Sequence, residues 1–550
     1  MHRRISLRLF LLALAPLALG TMGLAPPPDT YPRQLGIDAE HYVFRLTLRD
    51  DTDQISGEAE VSFRFLHEGV TEFFLDLASV SGGSDGKGMT VSEVTSGAGP
   101  VQWGHEEDRL HITLSQAPPQ GELVRFTIRY QGVAAEGLNV GPNRYGDRTF
   151  FSVNWPNRAR HWLPMIDHPY DKATSEFVVT APAHYQVVAN GLLQEETDLG
   201  DGQRLTHWKQ SIPIPSWLNA LGVARFASRH FGSIHGIPLQ TWVFHQDRDE
   251  GIATFEVPVR DAMAFFIENI GPYSYEKLAN VEAAGMGGGM EHASVIFYGA
   301  GSVTMEPATG LVTHEIAHQW FGNSVTESDW DDVWLSEGFA TYLTLLATEH
   351  YRGRDAFVAG LLSSRERVWS GEASDPQETV VHDNLSDMGD VLSGLQYQKG
   401  AWILHMLRWE IGTENFWTGI REFYRRYRNS TASTEDLVRL MEEISGEELD
   451  WFFNQWLHRT PSPSLVGSWR YDPASGLVRV DLEQTQPGAP YRLKLELGVT
   501  ESEAEGPRIE VVEMTEKRQR FSVAVEGEPR SVILDPNTWV LVQASFRRIN

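Results

Sequence analysis

The sequence predicts a multidomain α+β protein with an N-terminal antiparallel β-sandwich or saddle, a mainly helical middle region and a small C-terminal β-sandwich. Three observations predict this order. Apolar residues recur with a period of two over the first 200 or so residues, and the period lengthens to that of a helix from about residue 252. Alternation then returns after the proline-containing segment RTPSPSL at residues 459–465. The chain has 550 residues, which is enough for several hydrophobic cores.

The N-terminal region reads as short strands separated by Gly, Pro, Asp and Asn. Apolar side chains share one face of residues 42–48 and one face of residues 59–65, as expected of half-buried strands. Further strands are predicted at residues 72–77, 111–114, 123–130 and 176–181. No long helical pattern interrupts them, so this region is assigned to sheet.

The middle region carries apolar residues at helical spacing. Helices are predicted at residues 253–270, 309–321, 336–350, 397–411, 414–427 and 434–444. Ser433 or Thr434 can cap the last of these, and Gly412 and Gly446 stand just past helix ends.

The closing region predicts a small β-domain. Its strands are expected at residues 477–482, 491–497, 508–512, 521–525 and 531–534. The predicted domain boundaries are a signal peptide and leader at 1–25, an N-terminal β domain at 26–225, a mainly helical domain at 226–460 and a C-terminal β domain at 461–550.

Composition excludes several classes of function. The formal net charge is −28, so a nucleic acid backbone is a poor partner. The chain contains no Cys, which excludes disulfides, iron–sulfur clusters and thiolate zinc sites. Any bound metal must therefore be held by His and carboxylate side chains.

The N-terminus, MHRRISLRLFLLALAPLALG, has the pattern of a secretory signal peptide. Arg3, Arg4 and Arg8 form a basic segment, and an apolar run over residues 9–19 follows them. The alternative is a membrane anchor, but the run is shorter than the ~20 apolar residues that a span needs. We expect an exported protein, periplasmic or secreted, with no membrane span in the mature chain.

The main chemical signal is HEIAH at residues 314–318. Residues four apart share a helix face, so His314 and His318 can direct their imidazoles at one ion while Glu315 faces a bound water. The alternative is a pair of surface histidines on a helix. Glu337, in WLSEGFATYL, can supply a third ligand from an adjacent helix. Two His and one carboxylate leave a position open for water, and Zn²⁺ is the metal that this donor set favours.

This arrangement predicts peptide bond hydrolysis. The metal activates water and polarises a carbonyl, and Glu315 accepts the proton of the water and passes it to the leaving amine. The oxyanion of the tetrahedral intermediate needs a further donor, for which Tyr397 in YQKGAWILHML is a candidate. A buried aromatic residue on an amphipathic helix is the alternative interpretation of Tyr397.

Together, HEIAHQWFGN, WLSEGFATY, the preceding GGMEHAS and the following YQKG resemble the M1 family of zinc aminopeptidases. The segments ARHWLPMIDHPYDKATSEF and PSWLNALGVARF resemble parts of the N-terminal domain of that family. The resemblance implies a thermolysin-like catalytic domain, one Zn²⁺ per chain and peptide substrates with a free amino terminus. It assigns the metal ligands to His314, His318 and Glu337, the base to Glu315 and the oxyanion donor to Tyr397.

The family's G-x-M-E-N motif is matched by Gly288, Gly289, Met290 and Glu291, but its final Asn is His292 here. The resemblance implies that this segment pairs with the substrate backbone and that Glu291 binds the α-ammonium. Because His titrates where Asn cannot, the departure at His292 leaves the geometry and the pH behaviour of the amine site open.

The family's second amine-binding residue comes from the N-terminal domain, just before ARHWLP. Its nearest polar match here is Asn154, which requires a one-residue gap. Asp331 and Asp332 are candidates for orienting a ligand His, with a surface position as the alternative.

Two other functions remain open from the sequence. One is a thermolysin-like zinc endopeptidase, which shares the metal ligands but does not recognise a free amine. The other is an inactive scaffold, which the joint presence of ligands, base and tyrosine disfavours. Blocking the substrate amine separates the first from an aminopeptidase. The oligomeric state cannot be inferred from the sequence.

Overall fold

The computed structural model describes residues 30–549, except for 82–83, 304–308, 383–384, 386 and 503–505. The predicted signal peptide and leader at 1–25 lie outside the described residues. Within the described ranges, no helix combines the length and apolar character needed to cross a bilayer.

The N-terminal region is built on a seven-stranded sheet. In spatial order its strands are Leu192–Gly200, Gln203–Ile214, Ala173–Pro182, Ile37–Thr47, Ile55–Phe65, Leu123–Val133 and Gly88–Ser96. Neighbouring strands are antiparallel with one exception, because Ile37–Thr47 pairs parallel with Ala173–Pro182. The sheet predicted for this region is therefore confirmed, and its purely antiparallel character is corrected at this pair.

Two smaller sheets complete the N-terminal region. One has three strands, Glu72–Asp76, Arg109–Leu114 and Val101–Glu106. The other has four strands, Gln186–Ala189, Leu221–Ala224, Arg148–Ser152 and Leu138–Pro142. Aromatic side chains such as Phe63, Phe73 and Phe126 pack edge to face between the sheets and form an apolar core.

A five-stranded sheet follows and leads to the helical region. Its spatial order is Phe226–Ile234, Ile237–Phe244, Leu278–Ala283, Val295–Gly299 and Gly289–Met290. The two-residue strand Gly289–Met290 lies at the edge and runs antiparallel to Val295–Gly299. This edge belongs to the segment that the sequence assigns to substrate binding.

The helices of the described residues follow in chain order. They are α1 (Arg248–Asn269), α2 (Ala300–Val303), α3 (Thr309–His318), α4 (Trp334–Arg352), α5 (Arg354–Ser374), α6 (Gly394–Ile411), α7 (Thr413–Tyr427), α8 (Thr434–Ser445) and α9 (Asp450–Leu457). A two-stranded parallel pair, Val325–Glu327 with Ser430–Ala432, joins the segment before α4 to the start of α8. Ser433 caps α8, since its side chain accepts from the backbone N–H of Asp436.

The C-terminal region consists of two sheets. The first contains Arg518–Ala524, Leu477–Gln484, Ser464–Asp472 and Gln543–Arg548, and the second contains Arg508–Met514, Leu493–Thr500 and Ser531–Leu534. The predicted sequence of β-rich, helical and β-rich regions is thereby confirmed.

Asp171 provides a test of the stability of the N-terminal region. Its carboxyl group is buried, and one oxygen accepts from the backbone N–H of Ala39 at 3.3 Å. Burial, reinforced by the carboxylate of Asp38, raises the pKa of Asp171 to about 8. Because this pKa is raised in the folded state, the stability that it contributes is complete below about pH 4 and is lost as the pH rises towards about 8.

We therefore expect the free energy of unfolding to fall less steeply between pH 4.5 and 8 in Asp171→Asn, measured by urea unfolding against the unmodified protein. Asp201→Asn is the control, because Asp201 lies exposed in a turn. Parallel stability curves for the Asp171 variant and the unmodified chain would contradict the expectation.

Candidate active site

Three donor atoms converge where α3 meets the first turn of α4. The Nε2 atoms of His314 and His318 lie 3.1 Å apart, and each lies 3.3 Å from Oε2 of Glu337. His314 and His318 are four residues apart on α3, so their side chains leave the same face of the helix. The structure thus brings the three predicted ligands to a single point.

This donor set fits a zinc ion. The corners of a tetrahedron with ligand distances of about 2.0–2.1 Å are about 3.3 Å apart, close to the separations of 3.1, 3.3 and 3.3 Å between the three donor atoms. Glu337 and His318 are buried and His314 is partly open to solvent. The site is therefore a zinc site, held by two imidazoles and one carboxylate, with its open side towards His314.

The ligand His318 is oriented by a residue that sequence reasoning missed. Its Nδ1 lies 3.0 Å from Oγ of Ser336 and 3.3 Å from the backbone oxygen of Phe321. These contacts fix the ring with Nε2 towards the metal. Ser336 immediately precedes Glu337, so its position in the sequence next to a ligand was the available signal.

Asp331 and Asp332 have other partners. Asp332 accepts from the backbone N–H and hydroxyl of Thr434 at 3.1 and 2.6 Å, and Asp331 accepts from the backbone N–H of Leu385 at 3.1 Å. Both are buried, which excludes a surface position. These hydrogen bonds come from Thr434 and Leu385 and not from a ligand His, so the bonds do not support the orienting role either. They tie the start of α4 to the start of α8 and to a neighbouring loop.

Glu315, which the sequence predicts to be the general base, lies beneath the edge strand. It is buried, and burial together with the nearby carboxylate of Glu291 raises its pKa well above the usual value. A Cβ atom added to Gly289 would lie closer than 3.0 Å to the Glu315 carboxyl group. Only a glycine at residue 289 lets the edge strand pass this close to the base.

Gly289→Ala is accordingly expected to displace the Glu315 carboxylate and lower kcat by about 10²-fold or more, the range of a misplaced catalytic group. Steady-state kinetics with an aminoacyl amide would measure this loss. Gly287→Ala is the matched control, because a Cβ there meets no atom within 4 Å. A similar small effect of both variants would show that the close approach is unimportant.

Glu291 immediately follows the edge strand Gly289–Met290, and its carboxylate faces the metal site. Oε1 of Glu291 lies 3.9 Å from Nε2 of His318. The backbone oxygen of Glu291 accepts from Asn323 Nδ2 at 2.6 Å and from Gln319 Nε2 at 2.8 Å. Gln319 and Asn323 follow the ligand His318 in the chain, so the same segment positions the metal and Glu291.

The other residues predicted to bind substrate, Gly288, Gly289 and Met290, are held in place by backbone pairing with the neighbouring strand. The carbonyl of Gly288 accepts from the N–H of Gly299 at 2.9 Å, and Gly289 and Met290 pair with Tyr298 and Phe297. Among the described residues, no strand pairs with the opposite edge of Gly289–Met290. The backbone at this edge is placed to accept an extended peptide.

His292 is a buried side chain of the protein core. It is fully buried edge-on against Phe297, with ring centroids 4.8 Å apart, and neither ring nitrogen has a partner among the described residues. Burial lowers the pKa of His292 to about 3, so the ring is neutral at physiological pH. The question that the sequence left open is thus answered by a buried His292 ring that does not titrate near neutral pH.

Asn154 is not available to a substrate amine. It is fully buried, its Nδ2 donates to the backbone oxygen of Asn219 at 2.7 Å, and its Oδ1 accepts from Trp162 Nε1 at 2.9 Å. Both ends of the amide are thus occupied by the protein. The prediction of a substrate-binding role for Asn154 is corrected to a structural role in the N-terminal region.

Tyr397 lies in the first turn of α6, beside the metal ligands. Its ring stacks on that of His314 with centroids 6.0 Å apart and an angle of 20° between the rings. Helix α6 approaches α4 closely at Gly338 and Gly400, because neither residue carries a Cβ. A Cβ added to Gly338 would lie only 3.0 Å from Cα of Gly400. Burial and the nearby carboxylate of Glu337 raise the pKa of Tyr397, so its phenol stays protonated and able to donate.

Two family models match the chain. The peptidase family M1 domain matches residues 260–456, and the peptidase M1 N-terminal domain matches residues 38–218. Together they cover about two thirds of the sequence, including all of the site residues described above.

Curated relatives include a glutamyl aminopeptidase from Bitis rhinoceros, 28% identical over 454 residues, which are 77% of this chain and 46% of that protein. The human glutamyl aminopeptidase is 28% identical over 327 residues, 56% of this chain and 34% of that one. The chain thus spans about a third to a half of the length of these relatives.

Solved structures show the same architecture. An M1 zinc metallopeptidase from Deinococcus radiodurans is 25% identical with a TM-score of 0.65, covering 78% of this chain and 95% of that one. Aminopeptidase A from Legionella pneumophila, in complex with aspartic acid, is 16% identical with a TM-score of 0.79, and covers 94% and 61%. With both family models matched and the metal triad assembled, the chain belongs to peptidase family M1.

Proposed function

We propose that this protein is a zinc-dependent aminopeptidase that hydrolyses the first peptide bond of peptides with a free amino terminus. The observation that carries the proposal is the placement of Glu291, a buried carboxylate at the end of an open edge strand and 3.9 Å from a metal ligand. A carboxylate in that position binds the α-ammonium of a peptide and so fixes where the chain begins.

When bound, the zinc ion supplies Lewis acidity, which lowers the pKa of a water and polarises the substrate carbonyl. Glu315 accepts the proton of the attacking water and delivers it to the leaving amine. Glu315 is placed for this exchange by its position on α3 between the two metal ligands and beneath Gly289. The backbone beside Gly289 holds the scissile bond over Glu315.

Tyr397 stabilises the transition state. Its phenol lies beside His314 and donates a hydrogen bond to the oxygen that becomes negative as water adds to the carbonyl. Because burial keeps the phenol protonated, this donor is available through the whole physiological pH range.

An endopeptidase that shares these metal ligands would need an open groove on both sides of the scissile bond. Here Glu291 places a buried negative charge where the preceding residue of a longer chain would lie. A peptide bond at that position brings no compensating positive charge, so internal cleavage is disfavoured.

The proposed place of action is outside the cytoplasm, in the periplasm or the medium. The signal-peptide pattern at the N-terminus and the absence of Cys support it. Fractionating cells that express the full chain, and cells that express a chain lacking residues 1–25, tests this location. Export of the full chain alone is expected.

The function is tested with a panel of aminoacyl chromogenic amides, each assayed as the free amine and as the N-acetyl derivative. Hydrolysis of the free amines, its loss on chelation and its recovery with Zn²⁺ are expected. The acetylated compounds should be inert. Efficient hydrolysis of the acetylated series would instead establish an endopeptidase.

A further inference from the structure

Lys172 carries a contact from the N-terminal region to the segment that follows the metal-binding helix. Its Nζ donates to the backbone oxygens of Asn323, Ser324 and Ser430 at 3.1, 3.0 and 3.0 Å. An ammonium group has three N–H donors, so these three carbonyls use all of them. Asn323 and Ser324 are fully buried and lie between α3 and the strand Val325–Glu327. One side chain of the N-terminal region therefore holds the segment in which they lie.

The backbone of Lys172 is itself well anchored. The residue directly precedes the strand Ala173–Pro182, which lies inside the seven-stranded sheet between Ile37–Thr47 and Gln203–Ile214. The third acceptor, Ser430, pairs with Val325 in the two-stranded parallel pair. The lysine thus joins a strand from inside the large sheet to both partners of this pair.

Asn323 connects the lysine to the amine site. Its backbone N–H donates to the oxygen of His318 at 3.0 Å, and its backbone oxygen accepts from Lys172. Its Nδ2 donates to the backbone oxygen of Glu291 at 2.6 Å. The same residue is therefore bonded to a metal ligand, to the N-terminal region and to the residue that the proposed function assigns to the α-ammonium. A shift of Asn323 moves the point from which the Glu291 side chain starts.

The counter-charge of Lys172 is the carboxylate of Glu327. Glu327 is buried, and neither of its carboxylate oxygens has a hydrogen-bond partner among the described residues. Burial lowers the pKa of Lys172, and the carboxylate of Glu327 acts in the opposite direction. Removal of the lysine alone would leave this buried carboxylate without a positive charge nearby, which matters for the choice of variants.

We infer that Lys172 is a positioning residue for the amine site. It holds Asn323, and through Asn323 it holds Glu291 where the α-ammonium of the substrate binds. This inference rests on the proposed aminopeptidase function and assigns part of amine recognition to the N-terminal region. The imidazole of His318 has other contacts, to Ser336 and to the backbone of Phe321, so binding of zinc should not depend on Lys172.

The test compares two inhibitors, an amino acid hydroxamate and the matching acyl hydroxamate that lacks the α-amine. Both bind zinc through the hydroxamate group, so the ratio of their Ki values measures recognition of the amine. Lys172→Met is expected to raise the Ki of the amino acid hydroxamate by about fivefold to tenfold, as for the loss of one hydrogen bond, and to leave the other Ki and the zinc content unchanged.

The matched control is Lys209→Met. Lys209 belongs to the same sheet but is half-exposed, and it pairs with Glu176 at 3.0 Å. This variant should change neither Ki value.

A second variant allows for the carboxylate that Lys172→Met leaves unpaired. Lys172→Met combined with Glu327→Gln removes both charges, yet the three carbonyls still lose their donor, so the same selective loss is expected. This double variant carries the test if the single variant does not fold. In a Glu291→Gln background, Lys172→Met should have no further effect on the ratio, because the two residues act on the same step.

The inference is overturned if the lysine variants raise both Ki values equally, or if they raise neither. It is also overturned if Lys172→Met and Glu291→Gln act additively on the ratio. An unmodified protein that binds the two hydroxamates equally well would instead refute the proposed function, so the two failures are distinguishable.

Discussion

Glu315→Gln is expected to lower kcat by about 10³-fold, the middle of the range for the loss of a general acid–base. Glutamine has the shape of glutamate but cannot accept the proton of the attacking water or return one to the leaving amine. The substitution also removes a buried carboxylate that lies near Glu291, so thermal stability should be unchanged or raised. Steady-state kinetics and thermal unfolding of the purified variant measure both effects.

Metal content makes this variant more informative. The described residues contain a second group of three donors within 4.8 Å of one another, Glu291, Glu315 and His318, which shares His318 with the proposed ligand set. If His314, His318 and Glu337 hold the ion, Glu315→Gln should bind one Zn²⁺ per chain like the unmodified protein. Glu337→Gln is the matched variant and should lose the metal. The reverse pattern would move the ion to the second group.

Tyr397→Phe is expected to lower kcat by about 10²- to 10³-fold with little change in KM. The hydrogen bond from the phenol is formed with an oxygen that becomes negative only during the reaction, so binding of the ground state loses little. Phenylalanine keeps the ring that stacks on His314, which makes this substitution structurally conservative. Kinetics with aminoacyl amides separates kcat from KM.

Two further measurements test the interpretation of Tyr397. A ground-state inhibitor should bind the variant and the unmodified protein equally well, whereas a tetrahedral transition-state analogue should bind the variant more weakly. Because the pKa of Tyr397 is raised, activity of the unmodified protein should show no loss from ionisation of Tyr397 below about pH 10. If both inhibitors weaken equally, Tyr397 has a structural role only.

The sequence predicted those helices along which apolar residues recur at helical spacing. Helices α3, α4, α6, α7 and α8 were found at nearly their observed bounds because their buried positions carry a helical pattern. Helix α5, Arg354–Ser374, was not predicted. Two of its five buried positions are polar, Ser364 and Glu372, and these interrupt the apolar stripe.

The partners that justify such polar positions are distant in sequence. Glu372 accepts from Nζ of Lys399 at 2.9 Å and from the backbone N–H of Ser462 at 2.9 Å. Similarly, the parallel pairing of Ile37–Thr47 with Ala173–Pro182 joins segments more than a hundred residues apart. No local pattern encodes these contacts, because they depend on how the whole chain folds.

In the site, spacing along the sequence was enough to predict the residues that share one helix. It was not enough to predict those whose state depends on how they are buried. His314, Glu315 and His318 follow from helix geometry alone. The neutral state of His292 and the full occupancy of the Asn154 amide could not be read from the sequence, because both result from packing against other segments.

Two amide side chains donate to the backbone oxygen of Glu291 and hold the residue to which the proposed reaction assigns the substrate amino terminus. Gln319 and Asn323 belong to the segment that follows α3, so their bonds to Glu291 fix the position of that residue relative to the helix that carries His314 and His318. In the proposed reaction the products are single amino acids released in succession, and dipeptides should not appear among the earliest products.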